Sequence, residues 1–187
     1  MKRKMFYTKQ LVFCAMAIAL ATILSLLKFN ILPQGGSSTL FSMLVVCLIG
    51  YWYGPSVGLI GGLTYGLMQL LTASSAPIHP IQLVLDFFLA FGALGLSGFF
   101  YKRKHGLMLG YVVGVVGRFV FSTISGLVFF TAYSPLLSES AAAVWASVWY
   151  NLSYILPEMV LTIIVLLLPP MASVMKRLRK MATANEV

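Results

Sequence analysis

The sequence has very little charge. Only 9% of its 187 residues are charged, and just four are acidic, whereas an average soluble domain has about 25% charged residues. With 60% hydrophobic residues and a mean hydropathy of +0.94, the chain has too few polar groups to cover a soluble surface. The composition therefore excludes a soluble globule and predicts membrane-spanning helices.

Histidine and cysteine are equally scarce, with two of each. Cys14 and Cys47 lie inside apolar runs without a Cys-x-x-Cys pair, so we expect neither a disulfide scaffold nor a zinc or other metal site. Gly-x-Ser-x-Gly, His-Glu-x-x-His and Walker sequences are also missing. We therefore expect no enzyme activity, no resident cofactor and no ATP hydrolysis by this chain itself.

The net charge of +9 is concentrated at the ends of apolar segments. Eleven of the 13 Lys and Arg residues fall there: Lys2, Arg3, Lys4, Lys9, Lys102, Arg103, Lys104, Lys176, Arg177, Arg179 and Lys180. This distribution follows the positive-inside rule and predicts that both termini and the mid-chain cluster are cytoplasmic. It forms no basic face with interleaved polar or aromatic residues, so we expect no nucleic-acid partner.

Polar breaks divide the chain into six apolar blocks. We predict an all-α integral membrane protein in which residues 1–187 form one domain surrounded by lipid. The six predicted spans are residues 11–28, 38–53, 55–73, 81–101, 106–133 and 141–171. An even number of spans agrees with cations on the same side at both ends, and we expect a multi-pass protein of the plasma membrane. A cleaved signal peptide is disfavoured because the first apolar run approaches the length of a span.

Small residues recur at helical spacing in three blocks. Two blocks carry glycines four residues apart: Gly54, Gly58, Gly62 and Gly66 in one, and Gly106, Gly110 and Gly114 in the other. Such faces let helix backbones approach closely in lipid, and we expect both to pack within the bundle. Ala15 and Ala19 form a similar strip on the first helix, which could face the bundle or another protein.

Three charged residues lie well inside predicted spans, away from the span ends. A carboxylate there costs about 2.5–3.5 kcal/mol on insertion scales unless it faces a cavity or a partner. Arg118 is the one cation deep in a span, and we predict a structural ion pair between Arg118 and Glu158. Asp86 has no such cation, and it shares one helical face with His79 and Gln82 at spacing i, i+3 and i+7. This face predicts a site that binds a cation from outside; the alternative is a capping histidine and a hydrogen-bonded aspartate.

Aromatic and amide residues occur in the neighbouring blocks. Tyr150, Asn151 and Tyr154 are grouped in the sixth block, and Tyr65 lies one turn from Gln69 in the third. Aromatic belts at the membrane interface do not account for the amides. A pocket of aromatic rings, amides and a carboxylate suits a flat, positively charged heteroaromatic ligand, through stacking, cation–π contact and charge-assisted hydrogen bonds.

The sequence resembles the thiamine-specific substrate-binding component, or S component, of energy-coupling factor (ECF) vitamin transporters. The resemblance rests on the runs Leu32 to Ser37, His79 to Leu96, Ile124 to Phe130 and Tyr150 to Glu158, and it covers residues 10–170. It implies a six-helix protein that binds thiamine outside. The implied partners are a transmembrane coupling protein and two ATPase subunits, which hydrolyse the ATP that powers uptake.

The resemblance also implies roles for individual residues. Ala15 and Ala19 match the alanines that contact the coupling protein, and Asp86 matches the acid that faces the cationic ligand. Together with the helical face described above, the predicted ligand-binding residues are His79, Gln82, Asp86, Tyr65, Ser122, Phe130, Tyr150, Asn151 and Tyr154. Ser122 stands where the family commonly has histidine, and Phe130 where some members have tryptophan.

These exchanges leave room for a related ligand, such as a thiamine precursor. Another vitamin such as riboflavin is a further alternative, although a neutral pocket without Asp86 would suffice for it. A stand-alone secondary transporter, which would couple uptake to an ion, is the alternative from a different class.

Overall fold

The computed structural model describes residues 8–27, 39–73, 80–133 and 140–184, apart from the side chains of 130–133 and 140. Within these ranges the regular structure is entirely helical, which confirms the all-α prediction there. The helices are α1 (Thr8–Leu26), α2 (Ser42–Tyr53), α3 (Pro55–Thr72), α4 (Pro80–Phe100), α5 (Gly106–Tyr133), α6 (Ser140–Leu167) and α7 (Pro169–Thr183).

Four of these helices, α1, α4, α5 and α6, are long and apolar enough to cross a membrane. α2 is apolar but has only 12 residues. At 1.5 Å per residue it extends about 18 Å, which is short of the ~30 Å hydrocarbon core. The predicted span 38–53 therefore starts too early, because helical structure begins only at Ser42.

The sixth predicted span, 141–171, is too long at its C-terminal end. α6 stops at Leu167, and Leu168 is extended with φ −65° and ψ 131°. Pro169 then opens a separate helix, α7, since proline suits the first turn of a helix but cannot continue one. The residues of α7 that pack against the core are Met175, Leu178 and Ala182.

Arg179 holds α7 across one end of the bundle. Its guanidinium carbon lies 4.5 Å from the centroid of the Tyr51 ring, and Nη1 donates to the Tyr51 hydroxyl at 3.2 Å. Nη2 donates to the carbonyl oxygen of Tyr101 at 2.5 Å. A further bond of 3.2 Å runs from the Tyr53 hydroxyl to the carbonyl oxygen of Ala182. α7 is therefore fixed to α2 and to the turn between α4 and α5.

The two glycine rows pack α3 and α5 closely against α4. A Cβ atom added to Gly62 would lie 2.6 Å from the carbonyl oxygen of Phe91, and one added to Gly110 would lie 2.7 Å from that of Ser97. Backbone atoms at these distances leave no room for a side chain, so glycine permits the close approach. The prediction that both rows pack within the bundle is confirmed.

The turns of α4 change width along its length. Regular turns at Pro80–Leu83 and Ala90–Ala93 alternate with a π-helical segment at Val84–Leu89 and a 3-10 segment at Leu94–Phe100. A π turn inside an α-helix is rare and frequently coincides with a functional site. Asp86 lies in this π segment.

Candidate ligand site

Asp86 reaches into the bundle from the first third of α4. It lies six residues after Pro80, or about 9 Å along the helix. Its Oδ2 atom accepts a hydrogen bond of 2.8 Å from the hydroxyl of Ser125 on α5, which is fully buried. The side chains of Gln82 and Ser122 also interact with this carboxylate. The structure therefore brings Gln82, Asp86 and Ser122 together.

The guanidinium of Arg118 and two aromatic rings pack next to one another. The guanidinium carbon of Arg118 lies 4.5 Å from the centroid of the Phe91 ring, and the Tyr65 ring meets Phe91 edge-on at 5.1 Å between centroids. Arg118 interacts electrostatically with Asp86. Within the described ranges, Arg118 Nε and Gln82 Oε1 are buried without a hydrogen-bond partner. Unpaired buried polar atoms are costly, so these two suit a site that a ligand completes.

Asn151 organises the α6 side of the site. Its Nδ2 atom donates to the carbonyl oxygens of Ser122 at 3.2 Å and Ser147 at 2.9 Å, and its Oδ1 atom accepts from the Tyr154 hydroxyl at 2.6 Å. The rings of Tyr150 and Tyr154 meet edge-on at 5.6 Å. Both tyrosines interact electrostatically with Asp86. Asn151 therefore joins α5 to α6 and fixes the position of Tyr154 near the carboxylate.

Glu158 does not form the predicted ion pair with Arg118. Its carboxylate accepts hydrogen bonds from the hydroxyls of Thr39 at 2.7 Å and Ser42 at 3.3 Å, and from the backbone N–H of Met43 at 3.1 Å. Arg118 stacks on a ring instead and acts on Glu158 only electrostatically. In the described part of the chain, no salt bridge joins the two residues.

The partner of Glu158 is the N-terminus of α2. The residue before this helix, Phe41, has φ 57° and supplies no capping side chain. The first N–H groups of a helix need acceptors and carry partial positive charge. The carboxylate of Glu158, only 4% exposed, fills this role from another helix. A helix end, rather than a cation, therefore satisfies this carboxylate.

Two predicted site residues cannot be placed, and two others were missed. His79 lies outside the described residues, as does the side chain of Phe130. Ser125 was not predicted as a site residue, although it continues the α5 face of Arg118 and Ser122 at helical spacing. Phe91, which follows the π segment of α4, was not predicted either.

Ala15 and Ala19 lie on the exposed side of α1. They line a mainly apolar groove of about 580 Å³ between α1 and α3. The opposite side of the helix buries Ala17 and Ala21 at 6% and 0% exposure. Of the two orientations left open by the sequence, the strip of Ala15 and Ala19 therefore faces away from the bundle.

The apolar helices and the buried polar groups together define a class of protein. Four helices are suited to crossing a membrane, and the bundle encloses a carboxylate, a guanidinium and several aromatic rings. Charged groups inside a membrane bundle mark functional sites in most such proteins. The chain is a multi-pass membrane protein with a polar site inside its helix bundle.

Comparison with known proteins gives the family. Residues 11–178 match the thiamine transporter protein family (Thia_YuaJ), and the chain belongs to this family of transporters, which are not enzymes. It is 34% identical over 175 residues to the thiamine transporter ThiT of Bacillus subtilis (strain 168), covering 85% of this chain and 88% of that protein. The solved structure of ThiT from Listeria monocytogenes has the same fold, with a TM-score of 0.66 and 22% identity, covering 86% of this chain and 94% of that one.

Proposed function

We propose that the chain is the thiamine-binding S component of an ECF-type vitamin importer in the plasma membrane. It crosses the membrane six times with both termini in the cytoplasm. It binds thiamine from outside and releases it inward when partner ATPases drive the transporter. The observation that carries this proposal is the Asp86 carboxylate, which accepts a hydrogen bond from Ser125 inside the bundle and interacts electrostatically with Tyr150 and Tyr154.

The chemistry of thiamine fits this arrangement. Its thiazolium ring carries a permanent positive charge, and its aminopyrimidine ring is flat and has hydrogen-bonding groups. Asp86 offsets the positive charge, and the tyrosine rings provide faces for stacking and cation–π contact. Gln82 Oε1 and Arg118 Nε supply an acceptor and a donor for the polar edge of the ligand. The names of the relatives, which are thiamine transporters, support the same ligand.

Coupling to ATPases is supported by a separate surface. The chain has no Walker sequence of its own, so ATP hydrolysis that drives uptake needs other subunits. Ala15 and Ala19 are exposed and line an open apolar groove. Alanine side chains let the backbone of a partner helix approach closely in lipid. This groove is therefore the docking place for the transmembrane coupling protein, which connects the chain to two ATPase subunits.

Reconstitution into vesicles tests this function. The purified chain alone should bind labelled thiamine in a saturable manner without accumulating it, whatever ion gradient is imposed. Adding the coupling protein, the two ATPases and ATP should produce accumulation. Sustained uptake by the chain alone under a proton or sodium gradient would contradict the proposal, because it would identify a secondary transporter. The control is the complete complex with Asp86→Asn, in which accumulation of thiamine should fall if uptake depends on the ligand site.

A further inference from the structure

Two basic clusters of the sequence meet at one end of the bundle. Arg179 donates to the carbonyl oxygen of Tyr101, which lies 78 residues away in the chain. This contact places α7 beside the turn that joins α4 to α5. We call the exposed cations of the two segments the basic surface, and its members are Lys102, Arg103, Lys104, Lys176, Arg177 and Lys180.

No acidic side chain of the described residues neutralises the basic surface. α7 contains only basic charges. The acidic residues with described positions are Asp86 and Glu158, and both lie inside long apolar helices. Asp86 accepts a hydrogen bond from Ser125, and Glu158 accepts one from the start of α2. Among the described residues these six cations have no acidic neighbour, and such a cluster produces a positive potential that attracts an anionic partner.

The position and the apolar side chains of α7 favour a lipid as that partner. α7 follows directly after α6, which is long enough to cross a membrane, so α7 begins near the depth of the head groups. Val174 and Met181 are 44% and 51% exposed, and they lie three and four residues from Arg177 on one side of the helix. A face with both cations and apolar side chains is typical of helices that lie in the membrane interface. An acidic protein surface would neutralise the cations but would leave the apolar side chains of Val174 and Met181 without a partner.

We propose that the basic surface binds the head groups of anionic phospholipids, while Val174 and Met181 contact their acyl chains. Arg179 has a different role, because its guanidinium is already committed to Tyr51 and Tyr101. It is the residue that holds α7 in place. The basic surface then anchors this end of the bundle in an anionic leaflet, independently of whether the ligand site is occupied.

A lipid competition experiment tests the proposal. The purified chain is exchanged into mixed micelles of phosphatidylglycerol and phosphatidylcholine, and the lipids that remain bound are counted by native mass spectrometry. We expect a preference for phosphatidylglycerol that falls about tenfold or more in the triple variant Lys176→Gln, Arg177→Gln and Lys180→Gln, since each cation near an anionic surface contributes about fivefold. The matched control is Lys176→Arg, Arg177→Lys and Lys180→Arg, which keeps a positive charge at each of the same positions and should keep the preference.

Several results would overturn the proposal. One is an unchanged preference in the neutral α7 variant, and another is an equal loss in the charge-conserving control. A third is an unchanged lipid preference together with lost binding of the coupling protein, which would assign the surface to a protein partner. If the α7 variant does not fold, salt supplies the test on the unmodified chain. Its preference should then disappear as ionic strength rises, and a preference insensitive to salt would contradict an electrostatic surface.

Discussion

Asp86 and Glu158 are both carboxylates inside the helix bundle, and each is stabilised by different partners. Each would be expensive in a membrane without a partner. Glu158 is saturated by two hydroxyls and a backbone N–H at the start of α2. Asp86 accepts a hydrogen bond from Ser125, interacts with the side chains of Gln82 and Ser122, and is influenced electrostatically by Arg118 and two tyrosines. We therefore propose a structural role for Glu158 and a ligand-binding role for Asp86.

Replacing Asp86 tests whether its negative charge contributes to thiamine binding. Asp86→Asn keeps the shape and removes the charge, so we expect thiamine affinity to fall by about 1–3 kcal/mol, the range for a charge-assisted hydrogen bond. Fluorescence titration of the purified variant measures the change. The melting temperature without ligand serves as the control for folding. Unchanged affinity in a folded variant would remove Asp86 from the ligand site.

Two substitutions at Glu158 distinguish a helix cap from an ion pair. Glu158→Gln keeps an acceptor for the N–H of Met43, whereas Glu158→Leu removes it. We expect the leucine variant to lose more stability, by about 1–3 kcal/mol for an unsatisfied buried N–H. Thermal unfolding of both variants in one detergent measures the difference. Equal losses would indicate that charge alone matters and would favour a pairing with Arg118.

The sequence marks Asp86 as a candidate site residue, but it does not reveal the partner of Glu158. Helical spacing fixes which residues share a face, and composition shows that Arg118 is the one cation available inside a span. Spacing gives no information on which helix ends lie at the same depth. The start of α2 carries no charged side chain, so nothing in the sequence marks it as the partner of a carboxylate on α6.

At the scale of helices, α4 is the element that positions the site. α3 and α5 approach it through glycines, and its π segment carries Asp86. Phe91, which follows that segment, contacts Gly62 through its carbonyl oxygen and Arg118 through its ring. Displacement of α3 from α4 would therefore disturb the site as well as the packing.

Two glycine substitutions test this packing. A methyl group at Gly62 would lie 2.6 Å from a backbone oxygen, whereas one at Gly92 would meet the end of the Leu63 side chain at 3.3 Å. We expect Gly62→Ala to destabilise the protein by about 1–3 kcal/mol, as overpacking does. Gly92→Ala is the matched control and should cost less, because a side chain can move aside. Chemical or thermal unfolding compares them, and equal effects would contradict the close approach of α3 to α4.

Helix ends were less predictable than helices. The predicted span 106–133 agrees with α5, but hydropathy could not locate the start of α2, because the residues before Ser42 include the apolar Leu40 and Phe41. Similarly, Leu167 and Leu168 extend the apolar run of α6 up to the proline that begins α7. Backbone conformation, rather than hydrophobicity, sets both boundaries. The number of spans is for the same reason still a prediction.

At the scale of the whole molecule, the candidate ligand site and the groove lie on different surfaces. The site uses side chains of α3, α4, α5 and α6 that point into the bundle. The groove uses the exposed side of α1 with α3. We therefore expect binding and coupling to be separable by mutation.

A double substitution in α1 tests this separation. We expect Ala15→Trp with Ala19→Trp to leave thiamine affinity within about twofold, because exposed substitutions change free energies by about 0.5 kcal/mol or less. The same variant should lose co-purification with the coupling protein and abolish uptake in cells that contain the complete transporter, since the indoles fill the groove. Titration of the purified variant and uptake in cells, measured in parallel, show whether binding and coupling are separate. Lost binding or retained uptake would contradict the assignment of this face.

Direct titration of the purified chain with thiamine tests the central claim. The change in tryptophan fluorescence should saturate at one thiamine per chain, with riboflavin producing no competing signal and Asp86→Asn weakening the response. Such a result would establish a thiamine site built around Asp86. Absence of saturable thiamine binding by the folded chain, or equal binding of riboflavin at the same site, would contradict it.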